Sequence, residues 1–366
     1  MNWWLGFAGA VFLGLVAGQW ADRMVVRLAL GRSFFWPFRD RCAKCHGALP
    51  WGWSVPLVGY WLAGRKCPAC GTRLRRRAIF LQLLTASLVA GLYALYFWQV
   101  GVYFARTPLS YDNHQIIALW IYHSILATLL VAATFIDFDW LIIPDSITVT
   151  GMLIGIALGT FWYVELHPVL LFHPRPDFST GVVPPDFFVK QLGWETTPAW
   201  IDDLRLAFNE HWRHHWNRWL GFLTGLVGLL VGGGTVWIVR AICSWIFRVE
   251  AIGFGDVTLM AMVGSFLGWQ TSVIAFFLAP VSAVFVGIFA WIFTGNRMIP
   301  YGPHLSIASM ACVFFWRPLW WYCVELFEHM GIVFFMAGAM IVVLFMVASI
   351  IQAVKTLAGG LIRGRR

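Results

Sequence analysis

Acidic residues are scarce in this chain: 17 Asp and Glu stand among 366 residues, and all charged types together make up 12%. A soluble protein carries about 25% charged residues, so the composition excludes an ordinary water-soluble enzyme. Heptad arrays, low-complexity tracts, internal repeats and a Gly-rich nucleotide fingerprint are also missing, which removes coiled-coil, solenoid and dinucleotide-binding readings. No cleavable signal peptide is visible: residues 3–21 are apolar but lack a basic n-region and an A-x-A site, so they read as a first spanning helix. What the chain does have is apolar surface. It is 60% hydrophobic with 23 Trp, a number that suits interfacial belts, and its mean hydropathy is +0.73. The expected fold class is an all-α polytopic membrane protein with a small cytoplasmic cysteine domain. A net charge of +9 could suggest a nucleic-acid partner, but the positive groups cluster beside apolar segments. Topology signalling explains them, and no nucleic acid is expected.

Apolar runs near the length of about 20 residues needed to span fall at 3–21, 79–104, 116–136, 146–164, 219–240, 257–269, 272–294, 304–324 and 331–354. The run after Asp256 is short and 304–324 is interrupted, so eight or nine transmembrane helices are expected. Arg23, Arg27 and the basic residues from Arg32 to Arg77 lie between the first and second runs. Arg240 and Arg248 follow the fifth run, Arg297 the seventh, and Lys355, Arg363, Arg365 and Arg366 end the chain. Nine spans with the N-terminus outside place all of these in the cytoplasm, as the positive-inside rule asks. The expected organisation is a first helix in 1–30, a cytoplasmic cysteine domain in 31–78 and helices in 79–164. An outer insertion follows in 165–217, then helices in 218–366 ending in a cytoplasmic C-terminus.

On that topology two acidic segments meet at the cytoplasmic edge. Gly253-Phe254-Gly255-Asp256 puts a carboxylate where a helix is expected to begin, at Val257. The two glycines remove side chains on both sides of Phe254, leaving room for another backbone. The other segment is Asp137-Phe138-Asp139-Trp140-Leu141-Ile142-Ile143-Pro144-Asp145. An acid beside hydrocarbon is costly unless paired or solvated, so each is a candidate site, though boundary aspartates also cap helices or pair with arginine. Paired carboxylates sharing a proton can activate water and protonate a leaving group. Asp137 and Asp139 differ by about 200° around a helix and cannot both face one cleft. Asp137 is the deeper candidate and Asp139 the reserve. Pro144 breaks helical hydrogen bonding, so Asp145 reads as a cap of the next helix. Asp256 at a helix N-terminus is expected to start as the base, and Asp137 near a helix C-terminus as the protonated acid.

Cys42-x-x-Cys45 and Cys67-x-x-Cys70 form two knuckles that can bring four thiolates to a tetrahedral zinc at about 2.3 Å. A cytoplasmic setting disfavours two disulfides. The zinc would be structural, since a small domain has little core of its own. Free thiols or disulfides are the alternative. His46 is a spare ligand candidate, and Cys243, Cys312 and Cys323 read as packing residues. Arg73, Arg75, Arg76 and Arg77 are expected at anionic lipid headgroups, the membrane lipid being itself a partner. Trp212, Trp216 and Trp219 share one helical face, so 209–219 reads as an amphipathic helix in the outer interface. His211, His214 and His215 offer a weaker metal reading.

These segments resemble the paired motifs of the type IV prepilin peptidases, membrane aspartic proteases of the Gly-x-Gly-Asp type. The family's Ile-Asp, six-residue spacer, Pro-Asp and following Thr are similar to Asp137, Pro144, Asp145 and Thr148. Its second motif corresponds to Gly253, Gly255 and Asp256. Ile299-Pro300-Tyr301-Gly302-Pro303 resembles its Ile-Pro-Phe-Gly-Pro loop, and Gly18, Arg27 and Leu28 its first-helix motif, with Asp22 where Asn is usual. Thr258 stands where Lys is usual and Gln82 where Glu is usual. The resemblance implies catalytic Asp137 and Asp256, with Gly253, Gly255, Pro144, Asp145, Pro300, Gly302 and Pro303 as substrate-binding or motif residues. It implies an endopeptidase of the bacterial inner membrane, acting at the cytoplasmic face on type IV pilin-like or pseudopilin precursors after a Gly and before a hydrophobic residue. A tetracysteine module and N-methylation with S-adenosylmethionine are common in that family. Two other classes compete: a proton-coupled transporter using both acids as a relay, and a protease-inactive assembly protein of the same fold. Both acids at one edge argue against the first.

Overall fold

The computed structural model describes residues 3–28, 77–98, 113–161, 213–248, 250, 253–294 and 300–316, together with parts of 42–72 and isolated positions further on. Its elements are helices α1 (Trp3–Leu28), α2 (Arg77–Tyr93), which continues as a π-helical turn Ala94–Trp98, α3 (Asn113–Trp140), α4 (Asp145–Phe161), α5 (Arg213–Phe247), α6 (Phe254–Thr294) and α7 (Gly302–Phe314). Helices follow the apolar runs because, in lipid, each backbone polar group must be satisfied within its own segment. Among the described residues five helices are long and apolar enough to cross a membrane, and α4 and α7 are shorter apolar helices. The chain is a multi-pass helical membrane protein. The expected last run, 331–354, is described only at isolated positions, so the expected eight or nine spans are not counted from it.

Helix α3 is the centre. It packs against α1, α2, α4, α6 and α7, and 72% of its spanning window is buried, against 28–50% for the other four spans. Tyr122, Leu126, Leu130 and Ile136 are fully enclosed. The Tyr122 hydroxyl donates to the carbonyls of Gly155 at 3.1 Å and Ser265 at 3.3 Å, tying α3 to α4 and α6. Large apolar side chains left exposed, such as Leu153 and Phe285, suit a lipid environment.

Small residues set how close the helices come. A Cβ on Gly18 would lie 2.5 Å from the Gln82 Cα, so α1 and α2 touch backbone to backbone there. A Cβ on Gly228 would strike the Gly264 carbonyl, and α5 and α6 meet in the same way. Without a hydrophobic drive between helices in lipid, such close packing is what holds them together.

Helix α6 is two legs rather than one rod. Gly268 has φ 77° and ψ 174°, a conformation open only to glycine. Gly232 of α5 lies beside both Met260 and Ser272, which a straight helix would separate by about 18 Å. The chain therefore doubles back at Gly268. This accounts for the two expected runs at 257–269 and 272–294. The expected helix start at Val257 is corrected to Phe254.

The expected outer interfacial helix is also corrected. Residues 213–219 are the first turns of α5, continuous with its spanning part, and so do not form a separate helix lying flat. His211 and Trp212, with 162–210, lie outside the described residues, as does His46.

Candidate active site

The first wall of the site is the end of α3. Asp137 lies in the last turn and is 6% exposed. The Leu141 N–H donates to the Asp137 carbonyl at 2.9 Å and closes the helix. Leu141 takes φ 54°, a left-handed conformation costly for a side chain of this kind. Pro144 then bars helix continuation, its carbonyl accepts the Ile147 N–H at 3.0 Å, and α4 starts at Asp145. Asp139 points elsewhere: it pairs with Arg77, whose Nε lies 3.8 Å from Asp22. The two acids separate around the helix axis as their spacing requires.

The second wall is the start of α6. Asp256 sits in the first turn, 8% exposed, with its N–H donating to the Gly253 carbonyl at 3.3 Å. The two glycines differ in what they leave open. A Cβ on Gly255 would come within 2.9 Å of the Ile143 Cβ, so its space is already filled by the α3–α4 connection. A Cβ on Gly253 would meet nothing closer than Asp256 Oδ2 at 3.8 Å. Room for a second backbone is therefore found at Gly253 and not at Gly255. Thr258 turns inward, donating to the Gly255 carbonyl at 3.1 Å. Phe254 is exposed, with the Arg240 guanidinium 5.7 Å from its ring centre and Arg240 itself 3.1 Å from Glu250.

The third wall is Pro300-Tyr301-Gly302 at the start of α7. The Gly302 N–H donates to the Asp137 carboxylate, and a Cβ there would lie 2.6 Å from Asp137 Oδ2. Pro303 is buried in the first turn of α7. The Tyr301 carbonyl accepts the N–H groups of His304 at 3.0 Å and Leu305 at 3.3 Å. Burial, and then the charge of Asp256, push the Tyr301 phenol up to about 12. This wall corrects one expectation. Asp137 ends α3 but also faces the N-terminus of α7, so both acids meet a helix N-terminus and the helix dipole does not separate acid from base.

The three walls enclose an open cleft of about 560 Å³, lined by Asp137, Leu141, Ile142, Ile143, Gly253, Phe254, Gly255, Asp256, Pro300 and Tyr301. Both acids line it, an arrangement in which two carboxyl groups sharing one proton are favoured over two adjacent charges. Pro144, Asp145 and Pro303 flank the cleft from the adjoining turns. Sequence reasoning passed over Leu141, Ile142, Phe254 and Tyr301. The signal available was their position beside the motif residues, in the connections where helices end.

Away from the cleft, Cys42, Cys45, Cys67 and Cys70 place their sulfurs within 4.8 Å of one another and could hold a metal ion. Cys42–Cys70 and Cys45–Cys67 stand at 3.7 and 3.6 Å. The knuckles are built alike, with the Cys42 N–H donating to the Gly47 carbonyl and the Cys67 N–H to the Thr72 carbonyl, both at 2.9 Å. Hydrogen bonds from the Thr72 hydroxyl and backbone lower the Cys70 thiol to about 6. Between the knuckles in sequence, the Leu57 N–H donates to Gln82 Oε1 at 2.6 Å, and Gln82 bonds in turn to Gln19.

Comparison with known proteins places this geometry. Residues 12–97 match the bacterial peptidase A24 N-terminal domain, and residues 204–288, which include Asp256, match the type IV leader peptidase family. Asp137 lies between the two matched regions. A prepilin leader peptidase/N-methyltransferase of Myxococcus xanthus is 27% identical over 298 residues, covering 80% of this chain and 67% of its own length. One from Aeromonas hydrophila is 24% identical over 349 residues, 87% and 91% of the two chains. One from Pseudomonas aeruginosa is 24% identical over 291 residues, 76% and 70%. No solved structure matches the chain. The two matched regions and these relatives make the chain similar to the type IV leader peptidases over most of its length.

Proposed function

We propose that this protein is an aspartic endopeptidase that removes the leader peptide from type IV pilin-like or pseudopilin precursors at the cytoplasmic face of the bacterial inner membrane. One observation carries the reading: Asp137 and Asp256 line a single cleft built where three helices end. The ionised carboxyl takes a proton from a water molecule as the water oxygen bonds to the scissile carbonyl carbon. The protonated carboxyl gives its proton to the carbonyl oxygen, producing a gem-diol. Collapse of the gem-diol breaks the C–N bond, the amine leaves with a proton, and the dyad returns to one shared proton. Gly253 gives the extended peptide room beside Asp256, while Gly255, Gly302 and Pro303 hold the walls. The precursor's own apolar helix stays in the lipid and its basic leader remains outside the hydrocarbon.

Zinc is the metal that best fits the cysteine cluster. Tetrahedral thiolates at about 2.3 Å from zinc are about 3.8 Å apart, close to the separations of 3.7 and 3.6 Å and far from the disulfide length of about 2.05 Å. Cys42, Cys45, Cys67 and Cys70 would hold it as a closed, structural site. The relatives' names also carry N-methylation, for which S-adenosylmethionine would be the donor. Gln82 is committed to Leu57 and Gln19, the described residues do not outline a place for the donor, and no step is derived through it.

Co-expression of a pilin-like precursor with wild type, Asp137→Asn or Asp256→Asn tests the peptidase reading. Leader removal by wild type alone is expected, and removal that survives both substitutions would overturn it.

A further inference from the structure

We propose that Arg77 is a positioning residue for Asp137: by pairing with Asp139 it fixes the last turn of α3, the turn that carries the reacting carboxyl. The inference rests on the peptidase reading above and gives a task to a charge that the two-carboxylate scheme leaves unused. Arg77 was expected with Arg73, Arg75 and Arg76 at lipid headgroups. In the fold its side chain is turned inward, 16% exposed, and pairs with Asp139. The Asp22 carboxylate of α1 lies 3.8 Å from its Nε. One guanidinium thus joins α1, α2 and α3.

Asp139 stands two residues after Asp137 and one before the end of α3, where helices fray. The helix dipole opposes an acid at that end, and α3 has no basic residue of its own in its last turn. The Arg77 charge, supplied by α2, offsets both the acid and the dipole. It is presented from a fixed base. Ala78, the next residue, is buried with Cys42, Leu49 and Cys67, and Leu81, one turn on, is fully enclosed. On its other side Asp137 has little slack. It accepts the Gly302 N–H, and a Cβ on Gly302 would already lie 2.6 Å from its Oδ2. A last turn released from Arg77 would lose that alignment, and a misplacement of about 1 Å costs about 100-fold in rate. The pairing also commits Asp139, so that of the two acids Asp137 is left to the cleft.

The test uses the purified full chain in proteoliposomes with a pilin-like precursor. Rates are expressed per active site, counted with a peptide carrying a hydroxyethylene isostere at the scissile position. Arg77→Gln and Asp139→Ala are each expected to lower kcat about 10- to 100-fold, with KM within about twofold. The double variant should be no slower than the slower single one, because both substitutions remove the same contact. Arg77→Lys, which keeps the charge, should recover part of the loss. Asp139→Ala leaves the guanidinium beside Asp22, so no buried charge is stranded and the thermal midpoint should stay close to wild type. Losses that multiply in the double variant, a wild-type kcat in either single one, or a change confined to KM or to the midpoint would overturn the proposal. Asp256→Asn is assayed alongside. If that variant cleaves, the peptidase reading fails; if it is inert while Arg77→Gln keeps a wild-type kcat, only the positioning role fails.

Discussion

Gly302 shows how much chemistry can rest on a missing side chain. Its N–H reaches Asp137, and a methyl group in place of its hydrogen would sit 2.6 Å from the carboxylate oxygen. Gly302→Ala is expected to displace that carboxylate and lower kcat about 100-fold, with the thermal midpoint close to wild type, as read by leader cleavage and unfolding in detergent. Gly255→Ala would collide with Ile143. Its activity should fall by about tenfold or more and return in part when Ile143→Ala is added, because the larger cavity admits the new methyl. That Asp137 and Asp139 point apart was legible in the sequence, since helical geometry separates them by about 200°; which of them lines the cleft rests on depth and on the resemblance. The unequal roles of the two glycines were not legible. They depend on Ile143, whose approach is a tertiary fact with no trace in the local motif.

At the scale of elements, glycines decide where helices touch and where they turn. Gly228→Val would force α5 away from Gly264, and overpacking of this kind costs about 1–3 kcal/mol. A lower thermal midpoint in detergent checks it. Gly268→Ala would place a side chain in a backbone conformation that costs about 1–3 kcal/mol, and the same measurement applies. The apolar runs located most helices because lipid forces backbone satisfaction within each segment. The start of α6 was misplaced by three residues, since two glycines read as a turn when one of them sits inside the first helical turn to admit Ile143. The π-helical end of α2, Ala94–Trp98, left no sequence signal.

For the whole molecule, composition gives the class and the positive charges predict an orientation, which reporter fusions can check. Alkaline phosphatase joined after Phe161 should be active, and joined after Arg248 inactive, if α4 ends outside and α5 ends in the cytoplasm. The cysteine cluster predicts one zinc per chain by elemental analysis, lost in Cys42→Ser. Ala78 of α2 packs with Cys42, Leu49 and Cys67, and Leu57, between the knuckles in sequence, bonds to Gln82 and through it to Gln19, so zinc loss should also lower the thermal midpoint of the full chain. The knuckles were legible because four cysteines at paired spacing have few other uses. Their tie to the helices was not, because it runs through a backbone N–H and two amides.

The fold-back at Gly268 reaches beyond stability. Residues 254–267 rise only about 21 Å as a helix, well short of the roughly 30 Å hydrocarbon thickness, and α7 with its 13 residues is no longer. The leg of α6 that carries Asp256 is therefore shorter than the bilayer is thick, while α5 packed beside it is long enough to cross. Where this short leg and α7 face lipid the bilayer would thin locally, at a cost of fractions of a kcal/mol per Å of mismatch, and the Gly268 carbonyl is satisfied from within by the Ser272 hydroxyl at 2.6 Å. A precursor helix arriving from ordinary bilayer would meet this depression at the enzyme's edge. Its hydrophobic segment would be too long for the local membrane there, and the surplus turn would be pushed out toward the cleft.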